Sequence, residues 1–171
     1  AGNADVIIKL VELYAFGALE FHDNPGWAKS AEELLAKLDD QQRRALARNV
    51  ARDLRRRQRE RIRAQTNPDG TPYAPRKEQR LRAQQGSIKR RAMFSKLSTA
   101  KWLKATAQGD TAVVGFFGSV ARIAATHQRG LKDRVSRDGP RVEYAQRELL
   151  GFSTHDREMI MDSVLTHLDA R

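Results

Sequence analysis

The sequence predicts an α+β fold: N-terminal helices, one of them long and arginine-rich, then a small antiparallel β-sheet, a short helix and a C-terminal helix. Three observations predict it. Apolar residues recur at helical spacing in the first third and again along an arginine-rich stretch from about Asp40 to Gln65. Two β-rich runs flank Gln108-Gly109-Asp110, and helical spacing returns after Ser153. At 171 residues the chain has the length of one domain, or of one domain with an appendage.

Each element has its own signal. From about Asp5 to Phe21 the residues Val6, Leu10, Leu13, Gly17 and Phe21 share one helical face, before His22-Asp23-Asn24-Pro25-Gly26 breaks the pattern. Ser30 with Glu33 is a capping box for a short helix through Leu34, Leu35 and Leu38, and Asp39 with Gln42 repeats the device for the long helix. Leu46, Val50, Leu54 and Ile62 give that helix an apolar stripe, with Gln58 filling its gap. The stretch from Thr66 to Pro75 carries three prolines and a Pro-Asp-Gly turn, so it reads as an irregular loop. Residues 76–92 are polar and basic with few apolar anchors, and together with the loop they predict a mobile arm over about 66–92. Trp102 to Ala107 and Thr111 to Phe117 read as a hairpin. Ser119 reads as the cap of a short helix closed by Gly130, residues 131–141 as a charged loop, and Val142 to Tyr144 as a short strand. Ser153 with Asp156 starts the closing helix, whose apolar side is Ile160, Val164, Leu165 and Leu168.

Charge is distributed unevenly. Lys and Arg number 32 against 21 Asp and Glu, a formal net charge of +11, which points to a polyanionic or acidic partner. Residues 1–42 are net −5, residues 43–104 net +16 and residues 105–171 neutral, so the whole excess sits in the middle. The long helix carries ten arginines, opposed past its first residue only by Asp53 and Glu60. Those two acids are seven apart on similar azimuths and read as intrahelical partners of arginine rather than an acid/base pair. Arg48, Arg52, Arg55, Arg56, Arg59 and Arg63 are the candidate contacts to a partner or to DNA phosphates. Aromatic residues are 6%, and neither a helix-turn-helix pair nor a stacking platform is evident, so any nucleic-acid contact is expected at phosphates.

The motifs of catalysis are missing. There is no cysteine, hence no disulfide, thiolate metal site or cysteine nucleophile. The four histidines, at 22, 127, 155 and 167, show no i, i+4 pairing and no acidic cluster that would complete a metal site; His127 is expected in a surface or capping role. No nucleophile elbow or phosphate-binding glycine loop occurs, and Gly115-Phe-Phe-Gly118 reads as a strand that narrows for a helix to approach. The expectation is therefore no enzyme, no catalytic residue, no cofactor and no metal. No apolar run is long enough to span a bilayer, and the first residues lack the pattern of a secretion signal.

Several pieces in order resemble the phage virion morphogenesis (tail completion) proteins of contractile-tailed phages. They are Arg61-Ile-Arg-Ala-Gln65, Asn67-Pro-Asp-Gly-Thr-Pro-Tyr-Ala-Pro-Arg-Lys77, Met93-Phe-Ser-Lys-Leu97, Val114-Gly-Phe-Phe-Gly118, Ala121-Arg-Ile-Ala124, His127-Gln-Arg-Gly130 and Arg147-Glu-Leu-Leu-Gly-Phe152. The resemblance covers about residues 40–169. It implies a tail-completion α+β domain at 40–171 behind an N-terminal helical segment at 1–39. It implies a non-enzymatic virion protein of the head–tail junction, made in the host cytoplasm. Self-association into a ring, commonly a hexamer, between the head connector and the tail terminator follows from the resemblance, with genome DNA passing through the lumen. The reading that competes with it is a basic protein that contacts duplex phosphates in solution.

Overall fold

Asp39 stands immediately before a run of strong helix formers, and helix α1 (Asp40–Ala64) starts there. The Asp39 carboxylate accepts from the Gln42 N–H at 2.8 Å, and the Gln42 side chain accepts from the Asp39 N–H at 2.9 Å, closing the expected capping box. The computed structural model describes residues 7–9, 38–76, 92–109, 111–135 and 137–169. The helix ends at Gln65, a non-glycine residue at φ 63°. Its side-chain amide bonds both the N–H and the C=O of Met93, at 2.8 and 2.9 Å, which holds this unfavourable backbone and ties the returning chain to the helix end.

Helix α1 turns Leu46, Ala47, Val50, Ala51, Leu54, Gln58 and Ile62 inward. They pack on a three-stranded antiparallel sheet of order β1–β3–β2, made by β1 (Ile7–Lys9), β2 (Leu103–Gln108) and β3 (Thr111–Phe116). The register runs from Gln108 opposite Thr111 to Leu103 opposite Phe116, with Gly109 at φ 63° in the two-residue turn. Strand β3 is central and paired on both edges, and Ala112 to Phe116 are buried without alternation. Leu149 and Leu150 enter the same core ahead of the closing helix, where Ile160 and Val164 cover it from the other side.

After β3 come a 3-10 turn (Gly118–Val120), helix α2 (Ala121–Arg129), the ribbon β4 (Lys132–Arg134) and β5 (Arg141–Glu143), and helix α3 (Thr154–Asp169). Gly130 closes α2 at φ 63°, and a Cβ there would lie 3.3 Å from the Tyr144 carbonyl oxygen, so glycine suits this position on both counts.

Several sequence expectations need correction. Ile7–Lys9 form a strand against Gly115, Val114 and Val113 rather than part of a helix: the β-branched residues pair with the edge of β3, a long-range contact that overrides local periodicity. Ser119 is not a helix cap; it lies inside the 3-10 turn, and Val120 precedes α2 with no side-chain cap. Residues 131–141 are not simply a loop, because Lys132–Arg134 pair with Arg141–Glu143. That ribbon has a polar, largely exposed sequence and so shows no apolar alternation. Leu165 is 44% exposed, off the face shared by Ile160 and Val164. The rest of the expected N-terminal helices, residues 77–91 of the arm, and the Leu168 side chain lie outside the described residues. The start of the arm is held by the body of the protein. Asn67 and Thr71 close a turn at 2.8 Å, Thr66 bridges to Pro72, and Tyr73 is buried with its hydroxyl donating to the Glu148 carbonyl at 3.3 Å.

Candidate partner-binding face of the arginine-rich helix

The arginines of α1 divide into an inner and an outer set. Arg57 and Arg61 flank the apolar stripe and reach α3. Asp156, 2% exposed, accepts from Arg61 Nη1 at 3.2 Å and lies 3.8 Å from Arg57 Nε. The same carboxylate accepts from the Ser153 N–H and hydroxyl at 3.0 and 2.9 Å, while the Ser153 hydroxyl accepts from the Asp156 N–H at 3.1 Å. One acid therefore caps α3 and neutralises a buried guanidinium. Burial pulls Arg61 below its ordinary pKa, and Asp156 opposes that. Gln58, fully buried, donates to the Gly151 carbonyl at 2.9 Å and accepts from the Gly151 N–H and Arg61 Nη2. The sequence marked Gln58 as part of the stripe. It did not mark Arg57 and Arg61, although their spacing of three and seven from Leu54 places them beside it.

A second buried arginine lies outside α1. Arg147, 5% exposed, donates to the carbonyls of Ala74, Pro75 and Ala145 at 2.7, 2.9 and 3.3 Å. It thus fixes the end of the proline loop to the segment before α3. Arg147 Nη1 also lies 3.3 Å from His127 Nδ1. His127 is half-buried, with ring contacts to Phe94 at 4.7 Å and Tyr144 at 4.9 Å, and Phe94 in turn meets Tyr73 at 6.0 Å. Desolvation, and then the Arg147 charge, push His127 down to about 4. Its expected surface or capping role is therefore corrected: it packs in an aromatic cluster, at whose far end burial pushes Tyr73 up to about 12.

The outer set contains the six candidates. Arg55 Nε donates to the Leu103 carbonyl at 2.7 Å, joining α1 to the start of β2. Arg56 pairs with Asp53 at 3.1 Å, as expected for that acid, and Arg52 bonds Asn49. Arg48, Arg52, Arg56 and Arg63 are exposed, and Arg55 and Arg59 are intermediate. Arg48 and Arg52 stand together with Arg44 along a groove of about 480 Å³ beside Ala105, Thr106, Ala107 and Gly109. A second groove, about 630 Å³, runs between α1 and α3 with mixed charge from Arg52, Asp53, His155, Glu158 and Asp162. Among the described residues no cluster of His, Cys, Asp or Glu is built to hold a metal, and no helix is long and apolar enough to cross a membrane.

These features define a small α+β protein organised on one basic helix. Arg55, Arg57 and Arg61 tie separate segments together, and Arg48, Arg52, Arg56 and Arg63 stand in solvent. The chain belongs to the phage virion morphogenesis family, whose model matches residues 26–169. It is 41% identical over 137 residues to tail completion protein S of Escherichia phage P2, an alignment spanning 80% of this chain and 91% of that protein. No solved structure matches it. The resemblance carried by residues 40–169 is borne out, and the family match extends it to residue 26.

Proposed function

We propose that this chain is a non-enzymatic structural protein of a phage particle that completes the tail at the head–tail junction. The observation that carries the reading is 41% identity, across 91% of its length, to a relative named for tail completion. In this reading the chain assembles in the host cytoplasm as a homo-oligomeric ring, of six copies by the family resemblance, between head connector and tail terminator. DNA passes through the lumen. The exposed guanidiniums of Arg48, Arg52, Arg56 and Arg63 suit contact with a neighbouring protein or with passing phosphates.

The test is the mass of the purified chain, alone and with tail tubes, by light scattering and negative-stain imaging. A closed ring, or density capping one end of each tube, is the expected result. A monomer that ignores tubes but binds duplex DNA with steep salt dependence would replace this reading with a nucleic-acid-binding one.

A further inference from the structure

The outer edge of β2 faces the arginine groove. A two-residue turn makes Gln108–Thr111 the closing hydrogen-bonded pair of the hairpin, and bonded pairs then alternate along the ladder. Lys104, Thr106 and Gln108 therefore bond toward β3, while Leu103, Ala105 and Ala107 direct N–H and C=O outward. Two contacts agree with this. The Leu103 N–H donates outward to Thr99 O at 3.0 Å, and the Leu103 C=O accepts from Arg55 at 2.7 Å. The corresponding groups of Ala105 and Ala107 have no hydrogen-bond partner among the described residues. Arg44, Arg48 and Arg52 run beside this open stretch, four residues apart on α1.

The spacing of the two elements matches. Four residues of helix advance about 6 Å, and two residues of strand advance about 6.8 Å. A strand added to the β2 edge would therefore bring every second side chain opposite one arginine. Ala105 and Ala107 are small, which leaves the groove open on the helix side.

We propose that the outer edge of β2 with Arg44, Arg48 and Arg52 is a docking site for an extended acidic segment of a different protein, which adds as a strand with carboxylates at alternate positions. The phosphate backbone of duplex DNA supplies charge but no donor for the outward carbonyls of Ala105 and Ala107, whereas a peptide strand supplies donors and acceptors together along its length. A second copy of this chain is a poor source. The only two acids at i, i+2 in the sequence are Asp156 and Glu158, which lie in α3 with Asp156 buried. The strand edge and the arginines beside it carry this site independently of the tail reading, so its failure would leave that reading standing.

The test uses the full chain and a fluorescent peptide, Thr-Glu-Val-Glu-Thr-Glu-Gly, read by anisotropy. It is compared with a peptide of the same composition in which the three glutamates are adjacent. The alternating peptide should bind at least tenfold tighter. R44E/R48E/R52E should abolish binding. Ala107→Pro, which removes one outward N–H while leaving every arginine, should weaken it at least tenfold. Should Ala107→Pro not fold, amide exchange of the unaltered protein gives the same answer, with Ala105 and Ala107 protected on peptide addition. Equal affinity for both peptides, or unprotected amides, would overturn the proposal. A short DNA duplex that competes for the site and binds Ala107→Pro undiminished would make it a phosphate surface instead. Self-association lost in R48E would make the occupant a second copy.

Discussion

Acidification should destabilise the fold through His127. In the folded chain its pKa is pushed down to about 4 from an ordinary 6.5, because the ring is desolvated and faces the Arg147 guanidinium. The unfolded chain therefore binds more protons between these values, and stability rises with pH across that window. Above about pH 6.5 both states are neutral and the effect is absent; below about 4 both are protonated and the loss is complete. The full shift corresponds to about 3 kcal/mol as an upper bound, and solvent screening of this half-buried ring reduces the expected loss by pH 5 to about 1 kcal/mol. Asp69 and Asp133, whose carboxyls are held below their ordinary range by local hydrogen bonds, act only at lower pH. The assay is urea unfolding from pH 7.5 to 4.5 for the unaltered protein and His127→Asn, whose amide oxygen still accepts from Arg147 without titrating. The unaltered protein should lose stability toward pH 5, whereas the variant, weaker at neutral pH, should have a flatter profile. Parallel profiles would refute the reasoning.

Other perturbations test the inner network. Asp156→Asn removes the charge facing buried Arg61, and denaturant unfolding should report a loss of about 3 kcal/mol. Gln58→Leu fills the same space but strands the Gly151 N–H and Arg61 Nη2, while the Gly151 carbonyl keeps Arg61 Nη1 at 3.2 Å, so about 2 kcal/mol and roughly 6 °C in thermal midpoint should go, measured by circular dichroism. Gly151→Ala would bring a Cβ within 2.5 Å of the Pro68 ring, a clash expected to cost about 2 kcal/mol by the same melt. Arg59→Glu with Arg63→Glu should change stability by less than about 0.5 kcal/mol yet lower the yield of joined particles; normal particles would show that these arginines have no partner.

Much of the fold was legible because its signals are local. The cap at Asp39, the stripe from Leu46 to Ile62 and the Ser153–Asp156 box each depend on residues within a few turns of each other. Strand β1 was not legible: Val6 and Leu10 on either side of it fit a helical face, and only pairing to a strand more than a hundred residues away makes Ile7–Lys9 extended. Nor can the count of arginines say which are buried. Arg61 and Arg147 are inside because Asp156 and the carbonyls of Ala74 and Pro75 converge on them from distant segments. The outer face was visible as charge, but the unpaired edge beside Arg44, Arg48 and Arg52 depends on the sheet order.

The most direct test of the central claim is electron microscopy of lysates from the phage lacking this gene, before and after adding back the purified chain. Filled heads and full-length tails that remain unjoined are expected without the chain, and joined particles once it is added. Joined, infectious particles in its absence would contradict that claim.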